Sequence, residues 1–406
     1  MKQKKYLVAD ESQKNFETAE ELREYLKFRK DNDILIKMPI NELSATGVDN
    51  IPLFIPERLA EIEAVYRGVK FPVVPISYDE IEVRECIESS GIFLCVPYKD
   101  SKHYALPTTD YGYGTLLQRI DDFCGTMVRT EPKTQKNVLP ASEKGVRITR
   151  DMELYKSECL ILLRDKKVRA VHSKVFDWLD NEELINTFEN VMKTDNPNLK
   201  FRTAQVNHEY LLVDYALDNE LVEESIKFML NDHGANIRDL KAGVRFITSD
   251  IGMSAVRANI VLTIDGSDIM LNGIAMEHKG GATIEKWETL LNEHFAQLLK
   301  EQEERIEVLG NTDITNIPFV VKEITNANIS IFPSKISEEV IQELEIKFPV
   351  TVGGTAIDCY LALNDIITRH YKTNRLSIGR YLMLADKVAS MINLPYDRIE
   401  KGGFFK

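Results

Sequence analysis

The stretch whose reading decides the fold is Gly243–Gly310. It divides into GVRFITSDIG (243–252), AVRANIVLTIDG (255–266), DIMLNGIAM (268–276) and HKGGATIEKWETLLNEHFAQLLKEQEERIEVLG (278–310). The first three runs are short, rich in Val, Ile and Leu, and split by turn signals at Asp250-Ile251-Gly252 and Asp265-Gly266. That is how strands joined by tight turns read. In the fourth run the period changes. Ile284, Trp287, Leu291, Phe295 and Leu298 recur at three and four residues, the stripe of an amphipathic helix, with Gly310 as its stop.

Working outward, the same grammar occurs once before. SECLILLRDKKVRAVHSKVFDWL (157–179) is an apolar run, a polar turn and a second strand. Asp180 then caps a helix, with Glu183 in the capping-box position. LKFRTAQVNHEYLLVDYAL (199–217) supplies further strands and VEESIKFMLND (222–232) a helix or bridging segment. Strand groups twice followed by a helix predict an α+β fold: antiparallel sheet with helices packed on one face.

The flanks are more mixed. Thr18-x-x-Glu21 is a capping box ahead of a short helix, and Ile34, Ile36, Met38 and Ile40 alternate as in a half-buried strand. ERLAEIEAVYRGV (57–69) reads as a helix stopped by Gly68, and DYGYGTLLQRIDDF (110–123) as another. RTEPKTQKNVLPASEKG (129–145) reads as a polar loop. After residue 312 the texture is helical through SEEVIQELEIKF, GGTAIDCYLALNDIITRHYKT and LSIGRYLMLADKVASMI, and the end, KGGFFK, is expected to fray. The expected organisation is a mixed α/β domain over 1–104, a central α+β domain over 105–312 and a mostly helical module over 313–406.

Composition narrows the class. Apolar residues make up 44% of the 406, enough for a packed core and against global disorder. No apolar run approaches the ~18–20 residues that cross a bilayer, and the N-terminus lacks the apolar core of a secretory signal. A cytoplasmic protein with no membrane role is expected. Five scattered cysteines without a C-x-x-C pair fit a reducing compartment and support neither a disulfide framework nor a zinc site. The net charge of −13 argues against indiscriminate nucleic-acid binding.

Nothing spells out catalysis. None of seven histidines lies in H-E-x-x-H spacing, and Ser249-Asp250 with His278 lacks the Gly-x-Ser-x-Gly elbow. Gly112 and Gly114 lack the third glycine of a dinucleotide loop, and Lys279-Gly280-Gly281 and Val352-Gly353-Gly354-Thr355 lack the Walker ending. Glycine pairs before helices most often just turn the chain. No catalytic residue, metal ligand or cofactor is assigned.

The basic hairpin is the informative feature. Arg129–Lys174 holds twelve Lys/Arg against six Asp/Glu. Arg164, Lys166, Lys167 and Arg169 surround one turn, with Lys174 beyond it. Such cations could follow a phosphate backbone while Tyr155, Phe176 and Trp178 offer stacking faces. An ordinary polar turn with aromatic anchors reads the same residues without function.

Several motifs occur in a recognisable order: ALPTTDYGYGTLLQRI, VRAVHSKVFDWLDNEELI, TSDIGMSAVRANIVL, IMLNGIAMEHKGG and TAIDCYLALNDIITRHY. Over about 105–392 the chain resembles phage- and plasmid-borne proteins grouped as domain of unknown function nine-three-two. The resemblance implies a mobile-element context in a bacterial cytoplasm and brings no activity. Asn272, Gly273, His278 and Gly280 match it and read as structural, since Asn-Gly is the usual chemistry of a tight hairpin and His278 would cap the strand end. Two functional readings stand: single-strand nucleic-acid binding or annealing through the hairpin, and self-assembly or docking of a host protein partner.

Overall fold

The computed structural model describes residues 13–47, 63–66, 69–72, 91–97, 103–120, 141–164, 167–207, 209–218, 220–232, 237–374 and 376–402. The fold is α+β with antiparallel sheets, as the sequence predicts. Its centre is a six-stranded sheet in the order β1 (Lys14–Phe16), β10 (Lys200–Val206), β11 (Leu211–Ala216), β12 (Leu240–Thr248), β13 (Val256–Ile264), β14 (Ser267–Met276). Alternation sends Val213, Val244, Phe246, Ile260 and Leu271 to one face, where they join Trp287, Leu291 and Phe295 of the long helix α6 (Ile284–Gly310). The β13–β14 turn carries positive φ at Asp265 and Gly266, 48° and 80°, the backbone of a type I′ hairpin.

Helix α1 (Ala19–Asn32), capped by Thr18, brings Leu22, Tyr25 and Leu26 into this same core beside α4 (Asn181–Asp195). The C-terminal helices share it too. α7 (Ile317–Ala327), α8 (Ser334–Lys347) and α9 (Ala356–Asn374) pack as a group, and α9 also touches α6 and β14. Helices do not keep to one face. Leu382 and Ala385 of α10 (Ile378–Ala389) pack on Leu212, Ile247, Val261 and Met270, which point away from the main core.

A second core is enclosed by two three-stranded sheets joined at both corners. One is β2 (Ile34–Pro39), β8 (Glu158–Arg164), β9 (Lys167–Ser173); the other is β3 (Ser44–Gly47), β6 (Ile92–Pro97), β7 (His103–Pro107). β2 runs through a 3-10 turn at Ile40–Glu42 into β3, and Thr108 bridges to Val168 at the opposite corner. Met38, Ile92, Leu94, Leu106, Ile148 and Ile161 fill the space between them. The edge of β9 is covered by α2 (Asp110–Arg119), whose Thr115 hydroxyl accepts from the Val171 N–H at 2.9 Å.

Several sequence expectations change here. Glu63–Tyr66 is not helix; it is a strand paired with Val69–Pro72. Ala141–Met152 within and beyond the expected loop is helix α3, where Gly145 lies against the backbone of Thr46. Asn272-Gly273 is not a hairpin turn. Both lie inside β14, at an irregularity where Asn259 faces Gly273 and Val261 faces Met270. A Cβ at Gly273 would sit 2.4 Å from the Ala258 carbonyl oxygen, so the glycine serves close approach of two strands. Divisions after 104 and 312 do not follow the cores, because residues 16–26 and 314–399 share the core of the central sheet. KGGFFK from residue 403 on lies outside the described residues.

Candidate functional site

The four described cations of the hairpin, Arg164, Lys167, Arg169 and Lys174, do not form one exposed surface. Arg164 ends β8 pointing into the seam between the two cores. Its Nε and Nη2 donate to Asp33 at 3.0 and 2.6 Å, and Nη2 also donates to Asp250, leaving the side chain 13% exposed. Arg29 Nη1 stands 3.7 Å from Asp33, so the Arg164 guanidinium is matched within a cluster of arginines and two carboxylates. Burial raises the pKa of Asp33 despite Arg164; at Asp250 burial pushes the same way, but Arg164, Arg169 and His172 outweigh it and the carboxyl stays low. Lys167 is 8% exposed and Arg169 3%, the latter with its guanidinium 5.7 Å from the ring centre of Tyr111. Lys174 is exposed, and Lys166 lies outside the described residues. The expectation that these cations project together into solvent is therefore corrected: tertiary carboxylates and burial absorb Arg164, Lys167 and Arg169.

Next to this clasp lies a stack of three rings. His172 stacks on Phe176 at 3.7 Å between centroids, and Phe176 on His278 at 5.2 Å, with the ring planes nearly parallel. His172 Nε2 is 3.0 Å from the Asp250 carbonyl oxygen, which can only accept, so Nε2 carries the proton. By the same argument His278 donates from Nδ1 to the Asp177 carbonyl at 3.3 Å, and its Nε2 accepts from the Thr248 hydroxyl at 3.4 Å. Burial lowers both pKa values, that of His172 to about 4. His278 thus ties β12 to the 176–178 segment.

The glycine-rich turns are occupied by the protein itself. Asp177 accepts from the N–H groups of Gly281 and Ala282 at 2.9 and 2.8 Å, filling the anion position ahead of α6. Gly280, with φ +74°, belongs to that turn. Asp358 does the same for Thr355 at 3.0 Å. Gly112 is explained by packing, since a Cβ there would sit 2.2 Å from the Val168 carbonyl oxygen.

Hollows lined by described residues include three. A cleft of about 180 Å³ opens over the Arg164 clasp between Tyr25, Trp178 and Tyr210. One of about 360 Å³ lies against α10. The third, about 500 Å³, crosses the outer face of the six-stranded sheet. Among the described residues no three His, Cys, Asp or Glu side chains converge as a metal site would need, and no helix is long and apolar enough to cross a membrane.

At the far end of the C-terminal helices the surface changes character. The start of α7 meets the end of α8 where Asp313–Ile314 pairs with Gly354–Thr355. There Ile346, Val350 and Val352 are 84%, 57% and 72% exposed, with Phe319 also exposed. Sequence reading missed α7, although Ile317, Val320, Val321 and Ile324 recur at three and four residues as a buried stripe; Asn316, which accepts from the Phe319 N–H, and Pro318 in the first turn were further signals.

Comparison with family models, with curated proteins and with solved structures found no match to this chain. The resemblance to domain of unknown function nine-three-two thus rests on the short motifs alone.

Proposed function

We propose that the chain is a binding protein that docks a protein partner on its C-terminal helical module, and that the β8–β9 hairpin is framework. One observation carries this reading: three large apolar side chains within seven residues, Ile346, Val350 and Val352, stand mostly in solvent. Scattered exposed apolar residues are ordinary, whereas a cluster marks a contact surface. The segment 313–354 holds six Asp/Glu (Asp313, Glu323, Glu338, Glu339, Glu343, Glu345) and three Lys (Lys322, Lys335, Lys347), a net −3. Two copies of such a surface repel, so the fitting partner is another protein whose apolar side chains sit among lysines and arginines. The nucleic-acid reading loses its main support with the neutralised Arg164.

The test compares the wild type with an Ile346→Asp/Val352→Asp variant. Affinity capture from a bacterial lysate, quantified by mass spectrometry, is expected to retain a basic partner on the wild type and lose it on the variant. The thermal melts should agree, because neither side chain is packed. Equal capture by both sinks the docking surface. A gel shift with single-stranded DNA at 50 mM salt is expected to show no complex; a complex weakened by Lys174→Glu would restore the hairpin as an interface.

A further inference from the structure

The groove of about 500 Å³ lies on the face of the central sheet opposite α6. Its floor is set by strand alternation. Asp214 of β11 and Arg245 of β12 are paired residues on that face, and Asp268 of β14 follows across β13. Arg245 donates from Nε and Nη2 to both oxygens of Asp214 at 2.6 and 2.8 Å, and from Nη2 to Asp268 at 2.8 Å. Thr263 donates to the other Asp268 oxygen at 2.9 Å, and Arg202 donates to Thr263 at 3.2 Å. The opposite wall comes from the helices. Tyr371 of α9 and Tyr381 of α10 lie with ring centroids 4.6 Å apart, tilted by 32°.

We propose that this groove binds a short neutral oligosaccharide. The volume falls within the ~300–1,000 Å³ of small-ligand sites, unlike the cleft over Arg164. The floor chemistry selects the ligand. Arg245 is already shared by two carboxylates, so it has no charge to offer a phosphate or carboxylate, and Asp214 and Asp268 would repel either. Both carboxylates remain partly open to the groove, and each of their oxygens has a further lone pair that can accept a hydroxyl. Planar side chains held rigid by one another present these acceptors at fixed positions, which suits the adjacent hydroxyls of a sugar ring and lowers the ordering cost of binding. The Tyr371–Tyr381 ledge supplies an electron-rich aromatic face for the apolar C–H side of a pyranose. Hydroxyl donors on one side and C–H groups on the other describe a saccharide better than a flat base or a fatty chain.

Saturation-transfer NMR with maltotriose, cellotriose and tri-N-acetylchitotriose, each at millimolar concentration, tests the proposal on the full chain. At least one trisaccharide is expected to receive saturation from the wild type. The signal should persist in Tyr371→Phe, which keeps the ring, and fall at least ten-fold in Tyr371→Ala. Ser267→Trp, which narrows the groove from the strand side, should abolish it as well and guards against a folding defect in either variant alone. No transfer from any of the three sugars overturns the proposal, as does transfer that survives both Tyr371→Ala and Ser267→Trp. Loss of partner capture in Ile346→Asp/Val352→Asp is a separate readout, so failure here leaves the docking surface to its own test.

Discussion

Mild acid should loosen the seam between the two cores, and His172 should account for most of the effect. Its ring is buried against Phe176 and neutral, with a pKa of about 4 in the folded chain against an ordinary 6.5. The unfolded chain therefore takes up a proton more readily than the folded one between these values. Stability from this residue is fully present above pH 6.5 and is lost as pH falls from there toward 4. Integrating from pH 7.5 to 5.0 with that pair of values gives a loss of about 2 kcal/mol. Burial lowers His278 as well, which adds to the loss in the same direction. Asp33, raised by burial, works the opposite way near pH 4, so the comparison stops at pH 5. The assay is urea unfolding at pH 7.5 and 5.0, read as the shift in midpoint multiplied by the slope. His172→Gln retains a donor for the Asp250 carbonyl and cannot be protonated. It should lose about 2 kcal/mol less than the wild type over the same interval, because the remaining histidines are common to both. Equal losses in the two proteins would refute the assignment of a buried neutral His172.

Removing the cation of the clasp should be costly. Arg164→Met leaves Asp33 and Asp250 buried without their main partner and is expected to cost about 3–5 kcal/mol in urea unfolding, part of which Asp33→Asn and Asp250→Asn should restore; a loss under about 1 kcal/mol would mean the cluster is open to water. Gly112→Ala and Gly114→Ala separate packing from propensity. The first places a methyl 2.2 Å from the Val168 carbonyl oxygen and should destabilise by about 1–3 kcal/mol, while the second meets nothing within 4 Å and should hold or slightly raise the melting temperature. Gly273→Ala, with its methyl 2.4 Å from the Ala258 carbonyl oxygen, should behave like Gly112→Ala; a neutral melt would show that β14 shifts register to admit a side chain.

Local signals were legible because their physics is local. Thr18 and Asp180 cap α1 and α4 through bonds to residues three positions on, and the Cys159–Ser173 hairpin and the Trp287 stripe follow from two periods read over a dozen residues. The same kind of reading placed a turn at Asn272-Gly273, where the dipeptide instead lies at an irregularity inside a strand. Both conformations suit Asn-Gly locally, and only pairing with Asn259 and Ala258 distinguishes them.

By itself, then, the sequence determined the elements marked by local caps, periods and turns, though not the strand at Glu63–Tyr66 or the helices at Ala141–Met152 and Ile317–Ala327, and that apolar faces must pack as α+β layers. The tertiary structure alone decided what the charges are for. Arg164 meets partners 131 and 86 positions away, and a cation written beside a turn looks the same whether it ends in solvent or between two aspartates. Likewise, residues 16–26 join a core built mostly beyond residue 179 because burial rewards proximity in space, which the order of residues along the chain does not record.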